Sequence, residues 1–184
     1  MSTPDSIRQA LMVVTLAAVV GVYSGCGYSL AGRGSFLPAS IQTIGIPLFS
    51  NSTPFYELEQ ALTDRVRSEF IGRGKYKVLP QETGVDAVLR GEVTGITLTP
   101  AAFNDQQQAT RYAITMTARI EFRDLTLDKV LWENPALVFR EEYEVTSAGS
   151  ATDPKAFFGQ DANALQRVSQ DFARTVVSAI LEAF

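Results

Sequence analysis

The sequence predicts an α+β fold, a two-layer sandwich in which two helices pack on one face of a mixed four- to five-stranded sheet. Apolar and polar residues alternate from Tyr112 to Phe122, which is typical of a strand with one buried and one wet face. Residues 58–74 and 162–183 instead repeat apolar side chains every three or four positions, as amphipathic helices do. The predicted order β-α-β-β-β-β-α suits two helices on one side of a sheet.

The first half of the predicted domain is a strand, a helix and a second strand. Ile41 to Phe49 forms the first strand, with Pro47 near its end. Thr53 suits the N-cap of the following helix, and Pro54 suits its first position. Tyr76 to Leu79 forms the second strand, and we expect it to be parallel to the first because a crossover helix joins them. The helix carries a stripe of apolar side chains, Leu58, Leu62, Val66 and Phe70.

The second half is predicted to be antiparallel strands followed by a closing helix. Val85 to Thr99 is a long strand whose apolar residues change phase at Gly95, which predicts a β-bulge there. Residues 100–108 are predicted to be a polar loop. The return strand begins at Val130 and is interrupted at Pro135. The inner stripe of the closing helix comprises Leu165, Val168, Phe172, Val176, Ala179 and Ala183.

Composition excludes several classes of function. The chain has 184 residues, a formal net charge of −4 and no histidine. Without histidine, Ser-His-Asp triads, Cys-His pairs and His-ligated metal sites are excluded, and the usual general base at neutral pH is missing. A mildly acidic chain also lacks the basic surface that binds nucleic acid. We therefore expect no metal, no cofactor and no nucleic-acid partner.

Three carboxylates near the end of the last predicted strand are the remaining candidates for catalysis. They are Glu141, Glu142 and Glu144. A pair of carboxylates can act as general acid and general base. The alternating pattern around them, however, is typical of the solvated face of a sheet. We therefore expect this chain not to be an enzyme.

The only cysteine follows a targeting segment. Residues 10–22 are apolar except for Thr15, and their 13 positions are too few to span a bilayer, which needs about 20. Ser24 and Gly25 are small residues directly before Cys26, the pattern that lipoprotein signal peptidase cleaves. We expect cleavage between Gly25 and Cys26, with diacylglycerol on the Cys26 sulfur and an acyl chain, such as palmitate, on its amine.

This cleavage divides the chain into three parts. Residues 1–25 form the signal peptide, residues 26–40 form the lipidated N-terminus and a tether, and residues 41–184 form a single α+β domain. Gly27 follows the cysteine where enterobacterial lipoproteins kept in the inner membrane tend to have Asp. The sequence therefore predicts a lipid-anchored protein of the outer membrane, with its domain on the periplasmic side.

Several motifs together resemble the lipopolysaccharide-assembly lipoprotein family, LptE. They are the start Gly25-Cys26-Gly27-Tyr28, the approach from Leu37-Pro38 to Ile46-Pro47, the helix from Leu58 to Gly74, the strand Tyr112-Ala113-Ile114-Thr115-Met116-Thr117, and the closing helix. The resemblance spans nearly the whole mature chain. It implies a protein that assembles with, and plugs, the outer-membrane β-barrel LptD, and that takes part in lipopolysaccharide transport and outer-membrane assembly.

The resemblance also indicates where this chain would touch its partners. The loops at 103–108 and 147–161 are the candidate places for contacts with the barrel or with lipopolysaccharide. The candidate residues are Phe103, Asn104, Arg111, Lys155, Phe157 and Phe158. The family's proposed lipopolysaccharide-binding positions are basic, whereas these loops contain Asn104, Asp105 and Asp161. This departure counts against direct lipopolysaccharide binding and leaves the plug role unchanged.

A second resemblance gives an alternative. Ile44 to Leu79 is similar to the strand-helix-strand opening of periplasmic lipoproteins of the curli-secretion type and of the TolB N-terminal domain. The motif Pro47-Leu48-Phe49-Ser50-Asn51 carries this likeness. It implies a secretion-pore or envelope-scaffold lipoprotein. The residues after Leu79 fit that alternative less well than they fit LptE.

Overall fold

The computed structural model describes residues 37–73, 75–144, 158 and 162–184. Strands and helices alternate at first and are followed by three long strands and a final helix. The elements are β1 (Thr43–Gly45), β2 (Ser50–Asn51), α1 (Leu58–Gly72), β3 (Lys77–Leu79), β4 (Ala87–Phe103), β5 (Ala109–Asp124), β6 (Lys129–Glu144) and α2 (Ala162–Leu181).

The strands form one mixed sheet. Its order is β3-β1-β4-β5-β6, and β2 pairs with β4 beside that path. β1 is parallel to both β3 and β4, whereas β4, β5 and β6 form antiparallel ladders. The two helices pack against each other and contribute to one core with the sheet. The predicted α+β class and the parallel strand-helix-strand unit are therefore confirmed.

The core lies between the helices and one face of the sheet. β5 buries alternate side chains along its length, as its sequence pattern predicts: Tyr112, Ile114, Met116, Ala118, Ile120 and Phe122. The predicted stripe of α1 is equally buried, at Leu58, Leu62, Val66 and Phe70. Burial of large apolar side chains at this density is the main stabilising contribution to such a domain, about 1.5–3 kcal/mol for each side chain.

The predicted first strand is wrong in its extent. Only Thr43–Gly45 pairs as β1, and Ser50–Asn51 forms a separate short strand against Glu92 and Val93 of β4. Pro47 lies between them and lacks the N–H that a continuous ladder needs. Leu48 consequently points outward and is 53% exposed.

The predicted start of the first helix is also wrong. The helix begins at Leu58, and its N-cap is Glu57, which has a left-handed backbone with φ 79°. Asn51 explains the delay: its side-chain amide donates to the Phe55 carbonyl at 2.6 Å and to Glu59 Oε2 at 2.7 Å. These bonds hold the chain between β2 and α1 in a turn, and the Thr53 hydroxyl donates to Asn51 Oδ1 instead of capping the helix.

The predicted loop at residues 100–108 is mostly strand. β4 continues to Phe103 and β5 begins at Ala109, so the connecting turn is only Asn104–Gln108. Pro100 fits inside the ladder because the register shifts directly after it, between Pro100 and Ala102. The bulge predicted at Gly95 is confirmed by the register shift between Val93 and Gly95.

The predicted interruption of the last strand is confirmed, whereas the last helix departs from the prediction. β6 is one strand whose register with β5 shifts at Pro135, between Asn134 and Leu137. Pro135 is tolerated because β6 is an edge strand among the described residues, with a ladder on one side only. The side chain of Asn134 accepts a hydrogen bond from the Ala136 N–H at 3.1 Å beside that proline. Ala183, predicted to lie in the buried stripe of the closing helix, is exposed because α2 ends at Leu181. Val168, Phe172 and Val176 of the predicted stripe are buried, and the buried face of α2 also includes Ala164, Val177 and Ile180.

Candidate functional site

Part of the predicted site lies outside the described residues. Gly25, Cys26, Lys155 and Phe157 are not among them. Their roles in signal cleavage, lipid attachment and partner contact therefore stay predictions from the sequence. The described part of the site consists of the β4–β5 turn, Arg111, Phe158 and the face of the sheet opposite the helices.

Asn104 holds the β4–β5 turn in one conformation. Its Oδ1 accepts hydrogen bonds from the N–H groups of Gln106 at 3.1 Å and Gln108 at 2.8 Å. Its own N–H donates to the Gln108 carbonyl at 3.0 Å, which closes the turn. Gln107 adopts the left-handed region with φ 58° to complete it. An asparagine in this position uses its side chain to satisfy the backbone N–H groups of the turn, as in other Asx turns.

Phe103 is presented by this turn. Its side chain is 61% exposed, as expected of a contact residue, and it stands at the last position of β4 where a loop was predicted. The backbone that carries it is fixed on one side by the β4–β5 ladder and on the other by Asn104. A large aromatic side chain on such a support loses little conformational freedom when a partner covers it.

Arg111 carries a compensated charge. Its Nη2 lies 3.2 Å from Glu144 Oε1 and its Nη1 lies 3.6 Å from Glu142 Oε2. The register places Arg111 directly opposite Glu144 on β6, so the pairing follows from the strand alignment. A guanidinium between two carboxylates has little residual attraction for phosphate. Two of the three glutamates considered for catalysis are thereby engaged in ion pairs on the sheet surface.

Phe158 is a core residue, which corrects its place among the candidate contacts. It is 4% exposed, and its ring centroid lies 5.0 Å from that of Phe55. Phe55 is itself buried just before α1. The aromatic pair therefore ties the residues before α2 to the start of α1, and Phe158 offers no surface to a partner.

The face of the sheet away from the helices, which we call the open face, is covered by arginine–carboxylate pairs. Arg119 pairs with Glu92 at 2.7 Å, and Arg90 pairs with Glu82 at 2.7 Å. The hydrogen bond from Arg90 holds the pKa of Glu82 below its usual value. Between the charged ends of the face, the register brings together Thr97 with Thr115 and Thr117 with Val138, and it places the exposed Arg140 opposite Thr115. The open face is therefore polar, with most of its charge internally compensated.

A second hydrogen-bonded group closes the end of the core beside α2. The Tyr143 hydroxyl donates to Asp171 Oδ2 at 3.2 Å, and the Arg167 guanidinium lies 5.6 Å from the centre of the Tyr143 ring. Burial, followed by the negative charge of Asp171, raises the pKa of Tyr143 above its usual value. Sequence reasoning missed this group because the two residues are 28 positions apart and belong to different elements.

Two further findings concern the described residues only. Among them, the side chains of Asp, Glu and Cys form no group of three or more that could hold a metal ion. Within the same part of the chain, each helix is too short or too polar to cross a bilayer.

The chain is thus a two-layer α+β domain with a polar open face and an exposed aromatic side chain beside the β4–β5 turn. The family model for lipopolysaccharide assembly, LptE, matches residues 41–180. The chain therefore belongs to the LptE family of non-enzymatic lipoproteins. This match also decides between the two families considered from the sequence.

Solved structures are similar to the chain at low sequence identity. A hypothetical protein from Chlamydia trachomatis is similar with a TM-score of 0.52 and 10% identity, over 77% of this chain and 97% of that one. Rare lipoprotein B from Shewanella oneidensis gives a TM-score of 0.40 and 15% identity, over 77% of this chain and 92% of that one. Lipoprotein GNA1162 from Neisseria meningitidis gives a TM-score of 0.42 and 15% identity, over 68% of this chain and 96% of that one. No curated protein matches the chain in sequence.

Proposed function

We propose that this chain is an outer-membrane lipoprotein that assembles with an LptD-type β-barrel and fills its lumen, as part of lipopolysaccharide transport and outer-membrane assembly. The observation that carries the proposal is the LptE family match, which extends over residues 41–180 and so covers nearly all of the folded domain. The Ser24-Gly25-Cys26 motif supplies the anchor, because acyl chains on Cys26 would hold the domain at the membrane.

The open face supports a place inside a barrel. The lumen of an outer-membrane barrel is polar, so a plug needs a polar surface whose burial is not prohibitive. Uncompensated charges are costly to bury, whereas charges that already have partners bring much of their compensation with them. Arg90, Arg111 and Arg119 each have a carboxylate within hydrogen-bonding distance on this face.

The β4–β5 turn supports a specific contact with the barrel. Interface energy tends to concentrate in a few aromatic side chains that enter a partner's pocket. Phe103 is exposed on a turn that Asn104 holds fixed, which is the arrangement such an anchor needs.

The charge distribution supports assembly and plugging over direct binding of lipopolysaccharide. Arg111, the described basic residue among the candidate contacts, is neutralised by Glu142 and Glu144. A site for the phosphates of lipopolysaccharide needs free positive charge in a fixed position. We therefore propose a role in lipopolysaccharide transport, and we assign no binding site for lipopolysaccharide to the β4–β5 turn or to Arg111.

The test is extraction of membranes with a gentle detergent, followed by purification through a C-terminal tag. The expected result is recovery of this chain with one large β-barrel protein of the LptD type. Recovery of a homo-oligomeric ring without a barrel would overturn the proposal and favour the secretion-pore alternative. Mass spectrometry of the purified chain tests the anchor separately: the mature chain should begin at an acylated Cys26, and an unmodified or uncleaved N-terminus would contradict that part.

A further inference from the structure

Arg140 stands in the middle of the open face without an acidic partner. It lies on β6 directly opposite Thr115 of β5, and its side chain is exposed. Thr115 lies between Ile114 and Met116, which are buried in the core, so Thr115 and Arg140 both belong to the face away from the helices. Among the described residues, no carboxylate lies within ion-pair distance of the Arg140 guanidinium.

The other arginines that the structure describes on this face already have carboxylate partners. The pairs are Arg90–Glu82, Arg111–Glu144, Arg119–Glu92 and Arg123–Asp128, at 2.7 to 3.2 Å. A guanidinium carries five N–H donors in a planar fork. Arg140 therefore differs from its neighbours, because the described part of the fold leaves its donors without a carboxylate.

Uncharged side chains lie beside Arg140 across β5 and toward the start of β6. Val138, two residues away on β6, is 63% exposed and lies opposite Thr117. Beyond Thr115, β4 contributes Thr97. The face above Thr117 is open, since a Cβ added at Gly95, which lies opposite Thr117, would meet no atom within 4 Å. We call five of these side chains the central patch: Thr97, Thr115, Thr117, Val138 and Arg140.

Ion pairs border the central patch at both ends. Toward the β4–β5 turn, Arg111 is held by Glu142 and Glu144. Toward the other end, Arg119 is held by Glu92. An arginine and an exposed apolar side chain within a polar border match the composition of the centre of a protein–protein interface.

The charges of this region balance. Arg140 and the two bordering arginines stand against three glutamates, Glu92, Glu142 and Glu144. A neutral surface has no long-range attraction for a polyanion such as a phosphorylated lipid or a nucleic acid. It can still bind one carboxylate at short range, because the Arg140 guanidinium can donate two parallel hydrogen bonds to it. The balance of charge thus favours a single acidic side chain over a phosphate-rich ligand.

The shape of the central patch favours a protein surface over a small molecule. Threonine and valine side chains are short, and on one face of a sheet they stand side by side. Small ligands instead bind in clefts that remove most of their surface from water. The polar inner wall of a large β-barrel is a surface that can lie against such a patch.

Burial of the open face in a barrel would make an unpaired guanidinium costly. A charge taken out of water is unfavourable unless an opposite charge lies close to it. The paired arginines of this face bring their carboxylates with them. Arg140 needs a carboxylate from the partner.

From these observations we propose that the central patch lies against the wall of the barrel lumen and that Arg140 pairs there with an aspartate or glutamate side chain of the wall. The inference rests on the proposed function, and it adds which face of the domain meets the wall. It agrees with a contact at Phe103, because Thr97, in line with Arg140 across the sheet, precedes Phe103 by six residues on β4. The two contacts are therefore about 20 Å apart along one strand.

The first test is recovery of the barrel with the tagged chain in gentle detergent. Arg140→Glu should reduce this recovery roughly ten-fold, because it places a carboxylate against a carboxylate. Arg140→Lys keeps the charge and should retain most of the recovery. The matched control is Lys129→Glu, at an exposed lysine of the same strand outside the central patch, and it should recover the barrel as the parent chain does. Recovery with Arg140→Glu at the parent level would overturn the inference.

The second test leaves Arg140 in place, so it holds even if the charge-reversed chain fails to fold. A photo-crosslinking residue at position 138 should form an adduct with the barrel, next to an acidic residue of its wall. Changing that acidic residue to arginine should restore recovery with Arg140→Glu. An adduct with lipopolysaccharide or with a second copy of this chain in place of the barrel, or no adduct in a complex that contains the barrel, would overturn the inference.

The parent chain distinguishes the failure of this inference from the failure of the proposed function. If the parent chain recovers no barrel, the proposed function fails and the inference fails with it. If the parent chain and Arg140→Glu recover the barrel equally, only the inference fails. Unfolding curves of Arg140→Glu should match those of the parent chain, because the Arg140 side chain is exposed and forms no ion pair with the described residues.

Discussion

Asp86 and Thr43 hold the start of β1 against the residue that precedes β4. Asp86 Oδ2 accepts hydrogen bonds from the Thr43 N–H and from the Thr43 hydroxyl, both at 2.8 Å. In return, the Asp86 N–H donates to the Thr43 carbonyl at 3.1 Å. The hydroxyl of Thr43 and the backbone N–H groups of Gln42 and Thr43 lower the pKa of the Asp86 carboxyl below its usual value.

This pair makes the stability of the fold depend on acid pH. A carboxyl whose pKa is lowered by folding stabilises the protein above its unfolded pKa of about 3.9, and the stabilisation is lost as the pH falls toward the folded pKa. Asp86→Ala should lower the free energy of unfolding at neutral pH by about 1–2 kcal/mol. The difference from the parent chain should shrink below about pH 4.

Urea unfolding measured across this pH range checks the prediction. Asp105→Ala, in the exposed β4–β5 turn, is the matched control and should leave stability unchanged. A difference between the parent chain and Asp86→Ala that stays constant down to the lowest pH would contradict the role of the ionised carboxylate.

Gly91 makes room for a buried ring. A Cβ added at Gly91 would stand 2.6 Å from Phe49 Cδ2, and Phe49 cannot move freely because its N–H donates to Thr63 Oγ1 at 3.0 Å. Gly91→Ala should therefore lower the free energy of unfolding by about 1–3 kcal/mol. Gly95→Ala is the matched control on the same strand, since an added Cβ there meets no atom within 4 Å. Chemical denaturation of both variants should show a loss for Gly91→Ala alone.

Tyr143 makes the stability of the fold depend on pH in the alkaline range. Because folding raises the pKa of its hydroxyl, Tyr143 stabilises the fold fully below its unfolded pKa of about 10, and that contribution is lost as the pH rises further. Tyr143→Phe should lose about 1 kcal/mol at neutral pH with the hydrogen bond to Asp171. As the pH rises above about 10, the free energy of unfolding of this variant should fall less than that of the parent chain. Tyr56→Phe, at an exposed tyrosine, should follow the parent chain throughout.

A substitution at Phe103 tests partner binding without disturbing the fold. Its side chain is exposed, so Phe103→Ser should change the free energy of unfolding by no more than about 0.5 kcal/mol. If the β4–β5 turn enters a pocket of the barrel, the same change should reduce recovery of the barrel in detergent extracts several-fold. Tyr56→Ser removes another exposed aromatic side chain and should leave that recovery intact. Unchanged recovery with Phe103→Ser would remove this turn from the proposed interface.

The sequence is most informative where a local pattern alone determines structure. The alternation from Tyr112 to Phe122 predicted β5 and its buried face, because each side chain of a strand is assigned to one face by position alone. Phe103 was predicted as a contact residue because it stands in a polar segment, and it is exposed although that segment is mostly strand. These features need no knowledge of any other segment.

Features that depend on distant contacts were not predictable. The late start of α1 follows from the bonds of Asn51 to Phe55 and Glu59, which no helix propensity reveals. Phe158 was assigned to the partner surface because its neighbours are polar, whereas its contact with Phe55 buries it. The pairing of Arg119 with Glu92 requires the β4–β5 register, which the bulge after Val93 shifts by one residue.

The interruption at Pro135 has a consequence for how the protein avoids aggregation. β6 is a 16-residue edge, and an exposed edge of that length invites another strand to add to it. Pro135 has no N–H to offer, and the N–H of Ala136 is already bound by Asn134. Because the N–H groups of neighbouring residues point to opposite sides of a strand, one of these two positions faces an incoming strand, which would find no free donor there in the middle of the edge. The missing donor thus interrupts the edge of β6 as a template for strand addition, the step by which amyloid-like growth begins.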